Sequence, residues 1–368
     1  MKFEYDNRIV LTLDAGGTNF VFSAIQSNHE IVEPVTLPAE TKDLSRSLKT
    51  IADGFRKVMA LLDEKPVAIS FAFPGPADYP NGIVDNVGNL PAFAGGVPLG
   101  PWLEKEFGLP VFINNDGDLF VYGEAIAGLL PKVNRMLEEA GSPKRYQILF
   151  GITLGTGFGG GLVYKNQLYI GDNSNATEIW LMRNKVRPDC LAEDGASIRA
   201  LRNSYARNAG IAPEAAPDPR AMRDIIKGEL EGDKAAAIEA YREMGEVVGD
   251  ALANAMTLLD GLVVIGGGLS HGHYLFMPAV LNELNGSIKN YSGKSFDRIV
   301  QKAYNLEDPA QTAEFLKGST KEIKIPGSNE TIAYDPLKRI GIGVSVLGTS
   351  EAVGIGAYAY ALNELDSQ

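Results

Sequence analysis

Apolar side chains along the chain gather into short β-branched or aromatic runs that stop at glycine or proline, with helically spaced segments between them. Ile9–Leu13 and Phe20–Ile25 are two such runs, separated by Asp14-Ala-Gly-Gly-Thr-Asn19, and the spacing predicts a hairpin around a glycine turn. Leu44, Leu48, Ile51, Phe55, Val58 and Leu62 recur at the interval of a helix face. Val67–Phe73 then reads as a strand stopped by Pro74-Gly75-Pro76. A Gly-, Pro- and Asn-rich stretch from Ala77 to Gly100 leads to a short helix at Pro101–Phe107, a strand at Val111–Asn114 and a helix opening near Asp116 or Asp118.

A polar segment from Gly128 to Lys144 precedes a second set of elements. Strand Tyr146–Leu154 enters a glycine turn at 155–161, and Leu162–Ile170 follows as strand and turn. Ala235–Leu259 is the longest helical stretch and runs into strand Gly261–Ile265, then Gly266-Gly267-Gly268 and a further helix. Lys321–Pro326 and Glu330–Tyr334 flank Gly327-Ser-Asn as a surface hairpin, and a helix with one small-residue face follows Gly348. This order predicts a mixed α/β protein with a small domain, 1–127 plus about 346–368, and a large domain, 128–345.

Length and charge narrow the classes. A chain of 368 residues fits two domains. Its 34 Lys and Arg against 46 Asp and Glu give a net charge of −12, which argues against general affinity for nucleic-acid backbone or an anionic membrane. One cysteine, Cys190, excludes an internal disulfide, and three histidines, His29, His271 and His273, leave little for zinc. His271-Gly-His273 reads as a loop without a metal role. The first residues lack the pattern of a secretory signal, and no apolar run is long enough to span a bilayer, so a cytoplasmic protein is expected.

Glycine clusters at 14–19, 155–161 and 266–268 each follow an apolar strand. Any one of them could simply turn a hairpin; three at strand ends point to backbone N–H groups brought close to phosphate. No Walker A string occurs. Gly155, Gly157 and Gly160 have the spacing of a dinucleotide fingerprint, but that motif must open a helix, whereas Leu162, Val163 and Tyr164 follow here. Two phosphate-gripping β-hairpins are the remaining design, as in the superfamily of sugar kinases, actin and heat-shock ATPases.

The sequence resembles the ROK family of bacterial sugar kinases and repressors in LDAGGTN at 13–19, FAFPGP at 71–76, NLPAF at 89–93, INNDGDLFVYGE at 113–124, GITLGTGFGGGLV at 151–163 and LDGLVVIGGGLS at 259–270. The resemblance implies an actin-like, ribonuclease H-like two-domain fold with sugar and nucleotide in the interdomain cleft. It implies Asp116 as the base that accepts a sugar hydroxyl proton, although Asp116 or Asp118 could otherwise be a helix N-cap. Asp14 would hold Mg²⁺ through water. Gly16, Gly17, Thr18, Asn19, Gly155, Thr156 and Gly157 would receive the phosphates of ATP, and Gly266, Gly267, Gly268 and Leu269 would line the adenosine pocket. Gly75, Asn89, Asn115, Asp116, Glu178 and Glu193 would hold the sugar; Asn89 also reads as a turn residue, and Glu178 and Glu193 also read as surface charges.

One departure stands out. Where many family members have a His and three Cys for structural zinc, the matching positions here are Leu181, Asn184, Val186 and Leu191, with Cys190 one place away. No zinc site is expected, and apolar packing of Trp180, Leu181 and Leu191 is expected to hold the loop. The stretch from about 286 to 335 is longer than the family's usual connection and could be a lid, a dimer contact or decoration. The implied activity is that of an ATP-dependent hexose kinase acting on the 6-hydroxyl, as a homodimer. An N-acetylhexosamine kinase and a non-catalytic sugar-binding protein are the alternatives; a repressor is disfavoured, because only 13 residues precede Asp14.

Overall fold

The computed structural model describes residues 2–16, 18–75, 77–85 and 90–367 and divides into two units, Met1–Pro131 with Gly161–Ala176 and Val346–Gln368, and Lys132–Gly160 with Thr177–Ser345. In the first, β1 (Val10–Ala15) and β2 (Asn19–Gln26) form the expected hairpin, in register from Val10↔Ile25 to Ala15↔Phe20. β3 (His29–Glu30) and β4 (Val35–Pro38) both pair with β2. α1 (Leu44–Met59) starts where the Asp43 carboxylate accepts from Arg46 N at 3.0 Å, and its Ile51, Phe55 and Val58 stripe is buried. β5 (Ala68–Ala72) adds parallel to β1; after the small hairpin β6 (Ala77–Asp78) and β7 (Ile83–Val84) and helix α2 (Leu99–Phe107), β8 (Val111–Asn114) adds parallel to β5. The sheet order β3-β2-β1-β5-β8 is a hairpin extended by parallel strands, which places the C-terminal ends of β1, β5 and β8 along one edge. Beneath that edge Phe22, Phe55, Phe71, Phe73 and Phe93 pack ring against ring, with centroids 5.1 to 6.3 Å apart. Such pairs contribute about 0.5–1.5 kcal/mol each beyond their burial.

α3 (Asp116–Ile126) follows β8 and is buried from Gly117 to Ile126. The segment expected to be a polar lead is instead α4 (Leu129–Glu139), whose Leu129, Leu130, Val133 and Leu137 face inward at helical spacing. A second six-stranded sheet repeats the plan of the first. β9 (Ile148–Leu154), β10 (Phe158–Tyr164) and β11 (Gln167–Leu168) are followed by α5 (Ile198–Ala209), α6 (Pro219–Lys227), α7 (Lys234–Leu259), β12 (Leu262–Gly266) and α8 (His273–Leu284). Then come β13 (Ser287–Lys289), β14 (Ser295–Asp297), β15 (Lys302–Asn305), α9 (Pro309–Lys317), β16 (Lys321–Lys324), β17 (Thr331–Tyr334) and β18 (Arg339–Val344), before α10 (Thr349–Ser367). The sheet order is β11-β10-β9-β12-β18-β15, with β9, β12, β18 and β15 parallel.

Three details differ from the sequence reading. The glycine turn is shorter than 155–161, because β10 begins at Phe158. Gly159 and Gly160 are strand residues at close approaches: a Cβ there would lie 2.6 Å from Thr153 Oγ1 and 2.7 Å from Thr177 O, respectively. Residues 161–176, assigned from sequence to the large domain, group with the first unit, since a Cβ on Gly161 would lie 2.9 Å from Gly117 O and the Tyr122 hydroxyl donates to Asn166 O at 3.0 Å. Finally, the 286–335 segment carries the hairpins β13–β14 and β16–β17, but it also supplies β15, an edge strand of the main sheet. Among the described residues no helix is long and apolar enough to cross a membrane.

Candidate functional site

In the first unit the candidate residues sit on the turn after β1, the loop after β5 and the start of α3. Asn115 is the N-cap of α3, its side chain accepting from Gly117 N at 2.8 Å, so the capping role open to Asp116 and Asp118 falls to neither. Asp116 Oδ1 also accepts from Gly117 N, at 2.9 Å, and the residue stays exposed at a helix N-terminus, where the backbone dipole favours an anion. Asp14 reaches solvent at the end of β1 but is hemmed in by protein; this desolvation, and then the Asp116 carboxylate, raises its carboxyl above the usual range. The two carboxylates therefore feel one another across the hairpin and the helix. Such a pair suits a hydrated Mg²⁺, which keeps several waters and needs only one or two protein carboxylates. Among the described residues there is no cluster of three or more His, Cys, Asp or Glu that would make a dedicated metal cage.

Thr18 is exposed, and its carbonyl accepts from Ala39 N at 2.9 Å; Asn19 pairs with Pro38. At Gly16 a Cβ would lie 2.9 Å from Asn19 O, so the tight hairpin requires glycine there. Gly17 and Asn89 lie outside the described residues. Tyr79, which the sequence reading passed over, links the other two elements. Its hydroxyl donates to Phe73 O at 3.1 Å and receives Asn115 Nδ2 at 3.5 Å, and a Cβ on Gly75 would lie 2.9 Å from it. An isolated tyrosine in a Gly/Pro-rich stretch carries no periodic signal that would have found it.

In the second unit three segments converge. Gly267, at φ +82°, presses its backbone against Leu154, the last residue of β9, where any side chain would collide. Leu269, expected to line an adenosine pocket, is 1% exposed and is a core side chain; Gly268 is the open residue of the turn. Gly155 O accepts from Ile198 N at 2.8 Å, and Phe158 N donates to Glu193 Oε2 at 3.1 Å. Thr156 is exposed between them. Glu178 is exposed, and its carboxylate accepts from Trp180 Nε1. His271 and His273 each set Nδ1 3.1 Å from a backbone carbonyl, that of Gly268 and of Ser270.

The loop from Met182 to Ala192, where no zinc site was expected, is held differently from the expectation. Leu181 and Leu191 are 53% and 39% exposed, so these two side chains do not pack the loop as expected. Asn184, itself 2% exposed, is the staple: its Oδ1 accepts from Val186 N at 2.9 Å and Arg187 N at 3.0 Å, and its Nδ2 donates to Leu191 O at 3.2 Å. Asn184 N donates to Cys190 O at 3.0 Å, and Ala192 N to Met182 O at 2.7 Å, so backbone pairing closes the loop around one amide. A second residue missed from sequence is Glu124, 0% exposed in α3. Its carboxylate accepts from Leu129 N at 2.7 Å, Val346 N at 2.9 Å and Leu347 N at 3.0 Å, tying the end of α3 to the start of the returning segment. A charged residue inside the otherwise apolar run Leu119–Ile126 was the available signal.

A model of the ROK family matches residues 10–316 of the chain. The N-acetyl-D-glucosamine kinase of Vibrio cholerae is 31% identical over 269 residues, covering 70% of this chain and 83% of its own. The glucokinase of Thermotoga maritima is 28% identical over 290 residues, covering 73% and 85%. The crystal structure of a glucokinase from Parabacteroides distasonis is 49% identical, covers 99% of both chains and gives a TM-score of 0.90. With its paired hairpin-and-parallel-strand sheets, of the actin-like ATPase type, the chain belongs to the ROK family.

Proposed function

We propose that this sugar kinase transfers the γ-phosphoryl group of Mg²⁺-ATP to the 6-hydroxyl of glucose or a related hexose. The observation that carries the reading is Asp116, an exposed carboxylate at the head of α3 whose capping duty has been taken by Asn115. Asp116 accepts the hydroxyl proton as the sugar oxygen bonds to phosphorus, and ADP leaves with the electrons of the broken bond. Asp14 holds the hydrated Mg²⁺, which when bound neutralises phosphate charge. Thr18, Gly155 and Thr156 offer donors to the phosphates, and the turn at Gly268 receives the adenosine. Gly75 and Asn115, steadied by Tyr79, and then Glu178 and Glu193, take the sugar hydroxyls. The resemblance further supports a cytoplasmic homodimer.

An N-acetylhexosamine kinase is the second reading, supported by the exposed Leu181 in place of the family His and by the Vibrio relative. The test is ADP release with Mg²⁺-ATP against glucose, mannose, fructose, N-acetylglucosamine and N-acetylmannosamine. Turnover on glucose is expected; turnover confined to the acetamido sugars would move the substrate, and silence on all of them from folded protein would refute the hexose reading in favour of another acceptor or a non-catalytic role.

A further inference from the structure

Glu193 touches the phosphate turn with one carboxylate oxygen, while the other makes only a long ion pair with Arg199. Oε2 accepts from Phe158 N at 3.1 Å, and a Cβ on Gly157 would lie 2.8 Å from that same oxygen, so the carboxylate rests where only a hydrogen leaves room. The backbone of Glu193 is fixed as well: its carbonyl accepts from Ser197 Oγ at 2.9 Å and from Ala196 N at 3.1 Å. Ile198 N, donating to Gly155 O at 2.8 Å, closes the other side of the same turn. Oε1, by contrast, is 3.8 Å from Arg199 Nη2, beyond hydrogen-bond range, on a side chain that is 26% exposed.

We infer that Glu193 couples the two substrates, receiving a sugar hydroxyl on Oε1 while Oε2 holds the Gly155–Phe158 turn in the shape that accepts nucleotide phosphate. The inference rests on the proposed function above and goes beyond it, because sugar contact alone needs no bond to the turn. A hydroxyl on Oε1 restricts rotation of the carboxylate. That orders the Phe158 amide before the nucleotide arrives, and the nucleotide then spends less of its binding energy on ordering the turn. By linkage the nucleotide must tighten the sugar by the same factor.

The test is calorimetric titration of the full chain with Mg²⁺-AMPPNP, with and without saturating glucose, or N-acetylglucosamine if that is the sugar turned over. In the wild type, sugar is expected to tighten AMPPNP about fivefold or more. Gly157→Ala displaces Oε2 but keeps the carboxylate, and it should abolish that tightening while sugar alone still binds. Glu193→Gln should weaken sugar by about tenfold and also lose the tightening. A wild type without coupling, or a folded Gly157→Ala with wild-type coupling, overturns the inference. Should Gly157→Ala not fold, Glu193→Gln decides: coupling that persists overturns the inference. Wild-type sugar affinity in Glu193→Gln would sink the sugar-contact reading of this residue and the inference with it, an outcome distinct from weakened sugar with coupling retained.

Discussion

Neighbouring residues with similar side chains receive different tasks from their backbone positions. Asn115 lies just outside α3 with extended dihedrals and spends its amide oxygen on the helix, whereas Asp116 is already helical and keeps its carboxylate at the surface. Asp116→Asn should therefore leave folding and sugar KM nearly unchanged and lower kcat by at least about 10². Steady-state kinetics beside a circular-dichroism check decides this, and near-wild-type kcat would remove Asp116 as the base. Its candidacy was legible through the family resemblance of INNDGDLFVYGE at 113–124, since an acidic residue ahead of a helix reads by itself equally well as an N-cap. Tyr79 and Asn184 were not legible, since their partners are loop carbonyls and amides whose positions depend on the path of the chain.

The pairing of α3 with α10 shows which glycines an element needs. A Cβ on Gly356 would overlap Leu119 O, and one on Gly123 would overlap Ala352 O, so the two backbones touch without side chains between them. At Gly354, on the same helix, a Cβ would meet only Ile25 Cδ1, at 3.1 Å. Gly354→Ala should therefore be neutral or stabilising, by up to about 1 kcal/mol from helix propensity. Gly356→Ala should cost roughly 1–3 kcal/mol or more through overpacking. Urea unfolding reads both, and equal midpoints would refute the close approach. The small-residue face of the last helix was visible in sequence, but its partner was not, because α3 and α10 are separated by more than 200 residues of chain. The interior of β10 makes the same point: glycines that look like turn residues are strand residues, needed for what passes beside them.

At the scale of the whole molecule, the first unit is completed by the last segment of the chain. Tyr358, Ala361 and Leu362 of α10 join Val10, Ile25 and Ala68 in one core cluster, and Val346 and Leu347 supply two of the donors to buried Glu124. Removing 346–368 would uncover that cluster and leave the Glu124 carboxylate buried with fewer donors, a costly state. The truncated chain should lose the cooperative unfolding of the first unit, and a thermal transition identical to the full chain would contradict the dependence. The sequence by itself determined the β1–β2 hairpin, the α1 stripe, the strands β5, β8, β9 and β12, the long helix α7 and the family, because periodicity, turn chemistry and motif order are local or linear properties. Only the tertiary structure decided that Asn115 caps the helix, that Asn184 staples the loop from Met182 to Ala192, and that residues 161–176 join the first unit. Each depends on atoms distant in sequence that meet only when the chain has folded.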